Sequence, residues 1–156
     1  MNIQGPSGNS LFCVAAGIKN AGILRALLEV ILDKWLAAEA NYRGDPALHV
    51  ATRVGRIRSA ELLLGCGGIV HMANDAGNTT LHEAVKNGYS KLTRLLQSRG
   101  SRAVYPENKE SKCPPYLAME IGNLEILKLL KEAIDENEVP WSKMQGMSPV
   151  RGAMGY

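Results

Sequence analysis

Between Asn74 and Gly100 the apolar positions fall into two short helical stripes separated by a glycine. Leu81, Ala84 and Val85 lie at i, i+3 and i+4, and Leu92, Leu95 and Leu96 repeat that spacing after Gly88. Each stripe predicts one face of a short amphipathic helix. Asp75-Ala76-Gly77-Asn78 precedes the first as a turn signal, because Gly77 can take a positive φ where the chain reverses. Thr79 offers a side-chain oxygen as helix N-cap. Gly88 stops the first helix and Gly100 the second. The unit reads turn, helix, turn, helix.

The same unit recurs along the chain. With the alanine of Leu81-His82-Glu83-Ala84 as a ruler, equivalents fall at Ala15, Ala51, Ala84, Ala118 and Ala153, spaced by 36, 33, 34 and 35 residues. A repeat of about 33 residues with Thr-x-Leu-His-x-Ala at the head of its first helix is the ankyrin pattern. The sequence therefore predicts an all-α fold, an ankyrin-repeat solenoid of stacked helix-turn-helix units. It reads as a single domain over 1–156, with repeats at about 8–39, 41–68, 74–100 and 108–131 and the start of a fifth at 145–156.

Departures from the pattern carry their own expectations. Cys13 replaces the histidine of the first repeat, and Lys19 stands where the inter-helix glycine belongs. The second helix of that repeat is expected to run on to Trp35 or Ala38. Pro46 replaces the capping threonine of the second repeat, losing the hydroxyl but pre-setting φ. Ser59 and Ala60 occupy positions usually held by larger apolar residues, which predicts the weakest-packed second helix of the four. In the fourth repeat Pro115 replaces leucine and Tyr116 replaces histidine, predicting a less regular first turn. The partial fifth repeat cannot bury its stripe without a second helix and a neighbour. On that reasoning the chain is either part of something longer or ends abruptly.

Composition narrows the picture further. Hydrophobic residues make up 46% and charged residues 21%, with one Phe and two Trp, so the core must be Leu, Ile, Val and Ala. That suits thin stacked helices. The net charge is +3 and no basic tract is present; Arg53, Arg56 and Arg58 form the nearest cluster and read as a solvated helix end. Three widely spaced cysteines fit a reducing compartment and no disulfide framework. The N-terminus lacks a signal-peptide layout. Arg25, Glu29, Asp33 and Lys34 interrupt the most apolar window, Ile23 to Ala38, and a membrane span needs roughly 20 nearly uncharged residues. A cytoplasmic protein with no direct membrane contact is the expectation.

Candidate chemistry is sparse. His49 and His82 share one repeat position, where a histidine joins the hydrogen bonds tying successive turns together, and His71 lies in a connector without an acidic or cysteine partner nearby. Cys13, Cys66 and Cys113 show no zinc-site spacing, with Cys66 read as the most accessible. Asp135, Glu136 and Glu138 read as a solvated connector. No phosphate-binding, dinucleotide or nucleophile-elbow motif is present. The expectation is no enzyme, no catalytic residue, no metal, no cofactor and no small-molecule substrate.

Several segments resemble one group in particular. Gly77-Asn-Thr-Thr-Leu-His-Glu-Ala-Val-Lys-Asn-Gly88, Gly44-Asp-Pro-Ala-Leu-His-Val-Ala51, and Tyr105-Pro-Glu-Asn-Lys-Glu with Pro115-Tyr-Leu-Ala118 and Gly122 resemble the ankyrin domains of plant accelerated-cell-death-type proteins. The resemblance implies an ankyrin array followed by transmembrane helices, acting in defence and stress signalling at membranes. A protein-interaction module follows from the stack itself, which presents its turn tips and the outer positions of its first helices along one face. The tip positions are Arg43, Asp45, Asp75, Asn78, Lys109 and Lys112, and the first-helix positions Arg53, Glu83, Lys86 and Glu120. Their mixed sign suits protein partners and not nucleic acid. The alternative is the cytosolic part of a longer membrane-anchored signalling protein.

Overall fold

A computed structural model describes residues 11–30, 40–41, 43–65, 72–100 and 106–136. Among them the regular structure is entirely helical. The helices are α1 (Leu11–Gly17), α2 (Ala21–Val30), α3 (Ala47–Arg53), α4 (Ile57–Leu64), α5 (Thr80–Lys86), α6 (Ser90–Gly100), α7 (Pro114–Ile121) and α8 (Leu124–Glu136). Each odd-numbered helix touches the even-numbered one that follows it. Along the stack α1, α3, α5 and α7 meet in order, as do α2, α4, α6 and α8. Two helical layers result, and one core runs between them.

The core is made of the residues the stripes select. Leu24, Leu48, Leu63, Leu81, Ile126 and Leu130 are fully buried, with Phe12 as the aromatic among the largest buried side chains. The ruler alanines Ala15, Ala51, Ala84 and Ala118 are buried as well, and their small side chains let neighbouring first helices approach closely. Ser59 and Ala60 serve the same purpose in α4, which buries both along with Leu63 and Leu64. By contrast, the longer α2 buries Leu24 and Leu28. The α4 helix is thus seated on these small residues together with Leu63 and Leu64.

Turn chemistry repeats with the helices. After α3, α5 and α7 the chain passes through Gly55, Gly88 and Gly122, and the next residue's N–H returns to the carbonyl of Ala51, Ala84 or Ala118 at 2.8, 2.9 and 3.0 Å. These are C-cap bonds that satisfy carbonyls a helix end would otherwise leave open. Pro114 and Pro115 occupy the first two positions of α7. No bond is lost there, because first-turn N–H groups have no helical acceptor. The Leu117 N–H closes the turn onto the Cys113 carbonyl at 3.1 Å, so it is more regular than the sequence predicts. The partial fifth repeat at 145–156, the extension to Trp35 or Ala38, and Cys66 and His71 lie outside the described residues.

Candidate protein-interaction surface

Three asparagines at one repeat position build the turns ahead of α3, α5 and α7. Asn41, Asn74 and Asn108 each accept two backbone N–H bonds on Oδ1, from the residues two and four further on, at 2.9 to 3.1 Å. Each also donates its backbone N–H to the carbonyl of that fourth residue. This is an Asx turn closed by a second ring, which needs an Asn or Asp side chain of that length. Neighbouring turns are then joined edge to edge. The Asp75 N–H reaches the Arg43 carbonyl at 3.3 Å and the Lys109 N–H reaches the Ala76 carbonyl at 3.0 Å. Gly77 (φ 78°) sits under the second contact, where a Cβ would lie 2.8 Å from the Lys109 nitrogen. Ser111 takes the equivalent conformation at φ 60°.

Side chains add a second set of ties. The Nδ2 of Asn74 donates to Asp45 Oδ1 at 2.8 Å, and that of Asn108 to Asn78 Oδ1 at 2.8 Å. Beneath them, His49 Nε2 bonds the Asn78 carbonyl at 2.8 Å and His82 Nε2 the Lys112 carbonyl at 2.9 Å. Cys13 fills the same role in the first unit, donating its thiol to the Asp45 carbonyl at 3.5 Å. Burial pushes both imidazoles below their ordinary pKa, against the opposing pull of these hydrogen bonds. Neutral rings that donate at Nε2 follow. His82 completes its valence, because the N–H of Thr79 reaches its Nδ1 at 3.1 Å within a capping box. The Nδ1 of buried His49 has no partner among the described residues, since Pro46 has neither N–H nor hydroxyl to give.

Four residues predicted as surface candidates belong to this interior network. Asp45 is fully buried, and Asn78 and Glu83 are nearly so. Arg53, half-buried, joins two repeats: Nη1 lies 2.8 Å from Asp45 and Nη2 lies 3.3 Å from Glu83. Burial raises the Asp45 pKa, but the hydrogen bonds from Arg53 and Asn74 outweigh it and hold the carboxyl below its usual value. Counting repeat positions placed these groups at the tip or outer face. Their partners, some thirty residues away in sequence, draw them inward instead.

The remaining candidates do face outward. Arg43, Asp75, Lys86, Lys109 and Glu120 are exposed. Lys112 is half-buried, lying 2.9 Å from Glu120 and 3.4 Å from Glu110, with its ammonium 5.9 Å from the Tyr116 ring centre. Exposed apolar side chains that the sequence reading passed over lie on α1, Val14 at 44%, and just past the ends of α1 and α3, Ile18 at 36% and Val54 at 41%. Their signal was the odd apolar residue outside each core stripe. Exposed apolar and charged groups thus alternate along this layer, from Val14 in α1 to Ile121 at 45% in α7. Among the described residues no cluster of His, Cys, Asp and Glu is placed to hold a metal ion. No helix there is long and apolar enough to cross a membrane.

No protein-family model matches this chain. A stretch of 58 residues, 37% of the chain, is 38% identical to the human (Homo sapiens) protein phosphatase 1 regulatory subunit 27. The matched stretch spans 38% of that protein's length.

Proposed function

We propose that this chain is a non-enzymatic protein-interaction module built as an ankyrin-repeat solenoid. The observation that carries the reading is the division of its polar groups. Asp45, His49, Asn78, His82 and Glu83 are buried and consumed in ties between repeats. Arg43, Asp75, Lys86, Lys109 and Glu120 stay exposed on the turn edges and first helices. A rigid scaffold with outward mixed charge beside Val14, Ile18 and Val54 is what docking a protein requires. The similarity to a phosphatase regulatory subunit supports a role in binding other proteins. The resemblance to plant accelerated-cell-death-type proteins favours stress or defence signalling.

The test is capture of partners by wild type and by the triple variant Arg43→Glu, Lys86→Glu, Lys109→Glu, with melting followed by circular dichroism. Loss of specific partners at unchanged melting temperature supports the module. Identical capture by both proteins refutes it. Binding to purified protein phosphatase 1 catalytic subunit tests the regulatory-subunit reading separately. Immunoblotting of membrane and soluble fractions with an antibody to this region decides whether the module works within a longer membrane-anchored protein.

A further inference from the structure

The arginine run of the third and fourth helices divides in the structure. Arg53 turns to Asp45 and Glu83, whereas Arg56 and Arg58 line a groove of about 650 Å³ with Lys19 and Arg25 of the preceding helix pair. Glu61 is the acidic residue in its lining. Lys19, Arg25 and Arg58 are exposed, and Arg56 is half-buried with its Nε donating to the Gly17 carbonyl at 3.5 Å. Among the described residues no carboxylate lies within ion-pair distance of any of the four. Four cations facing one concavity focus a positive potential there. The first turn of α4, which has no side-chain cap, opens beside them and adds a smaller contribution of the same sign. Ile57 and Leu62 supply an apolar part of the wall.

We propose that this groove binds an acidic segment of a protein partner. Asp or Glu carboxylates would sit among Lys19, Arg25, Arg56 and Arg58, with an apolar side chain against Ile57 and Leu62. A phosphate-rich ligand would satisfy the charge but leave that apolar wall bare, which is why a peptide fits better. The volume falls within the roughly 300–1,000 Å³ of small binding pockets. The groove lies past the C-terminal end of α3, opposite the Arg43 edge. It rests on the reading of the chain as an interaction module and gives that module a second face.

The experiment is fluorescence anisotropy on the full chain with a labelled peptide Glu-Asp-Leu-Glu-Glu-Ile-Asp-Glu and its Gln/Asn counterpart. The acidic peptide should bind, and binding should weaken as salt screens the groove. The exposed pair Arg25→Glu with Arg58→Glu should weaken it by about tenfold or more, and Lys128→Glu, at an exposed position of α8 outside the groove, should leave it unchanged. Equal binding of the neutral peptide, full binding to the groove variant, or retention by anionic vesicles or duplex DNA in place of the peptide would each overturn the proposal. If the peptide fails while turn-edge variants still abolish partner capture, the groove falls and the interaction module stands. If neither effect is seen, both fall.

Discussion

The guanidinium of Arg53 lies 2.8 Å from Asp45 within one repeat and 3.3 Å from Glu83 in the next. One side chain thus neutralises two nearly buried carboxylates and links α3 to α5. Removing it strands the Asp45 charge, whose side chain is 0% exposed, and leaves Asn74 as its side-chain donor among the described residues. Breaking a buried pair costs about 3–5 kcal/mol, and the partial exposure of Arg53 lowers that to roughly 2–3 kcal/mol. Arg53→Met should therefore lower the melting temperature by about 5–10 °C. Asp45→Asn should cost less, about 1 kcal/mol, because Asn78 shows that an amide fits the equivalent place and Arg53 keeps Glu83. Chemical denaturation of both variants checks the order. A reversed order would mean that the ion pair does not hold the interface.

Pro46 leaves an acceptor unmet on the buried His49 ring, and the equivalent Thr79 shows the remedy. Pro46 (φ −64°, ψ 165°) and Thr79 (φ −81°, ψ 174°) share one backbone conformation, so threonine fits without strain. Pro46→Thr gains a cap and a bond to Nδ1 worth about 1–2 kcal/mol. It loses about 0.4–1 kcal/mol of proline rigidity. A net gain of about 0.5–1 kcal/mol is expected in urea unfolding, with Pro46→Ala falling below Pro46→Thr for want of the hydroxyl. A Thr variant no more stable than the Ala variant would remove the capping box from the account.

Much of this architecture is legible in sequence because it rests on local periodicity. The alanine ruler selects residues that are all buried where described, and the leucine stripes select the core. The lateral ties are not legible in the same way. Asp45 and Glu83 look like solvated tip and helix charges until Asn74 and Arg53 are brought to them by the stacking of repeats. The division of Arg53 from Arg56 and Arg58 has the same cause, since their neighbours are set by adjacent repeats and not by adjacent residues. One signal was present and went unread: asparagine at 41, 74 and 108, at the same period as the alanines.

That asparagine position yields a third prediction. Asn74 accepts from the N–H groups of Ala76 and Asn78 and donates to Asp45 and Glu83. Asn74→Ala removes all four bonds while filling the same backbone conformation. With about 1 kcal/mol for each of the three well-formed bonds and less for the 3.3 Å contact to Glu83, the loss is roughly 3–4 kcal/mol. Asn74→Asp keeps the acceptor but sets a carboxylate against Asp45, so it should rescue the turn only in part. Amide hydrogen exchange at Ala76 and Asn78 separates the cases: faster exchange confined to that turn is expected, whereas unchanged exchange would deny the clasp its role.

Stability should fall on mild acidification. His49 and His82 are buried as neutral rings with pKa values lowered from 6.5, so the unfolded chain takes up protons that the folded chain refuses. A depressed histidine pKa contributes stability that is fully present above about 6.5 and drains away as pH falls through and below it. The Asp45 carboxyl, also lowered, adds a term of the same sign that is lost only in stronger acid, below its usual 3.8. Between pH 7.5 and 5 the histidines therefore dominate this part of the slope. The chain has three histidines, so a His71→Gln background leaves the two buried rings as its histidine titrants. In that background the urea midpoint should drop steadily from pH 7.5 to 5. Pro46→Thr should steepen the drop, because a donor facing Nδ1 favours the neutral ring still further. A midpoint that stays level over this range would mean that the rings accept protons in place, and that the bonds to the Asn78 and Lys112 carbonyls do not depend on neutral imidazoles.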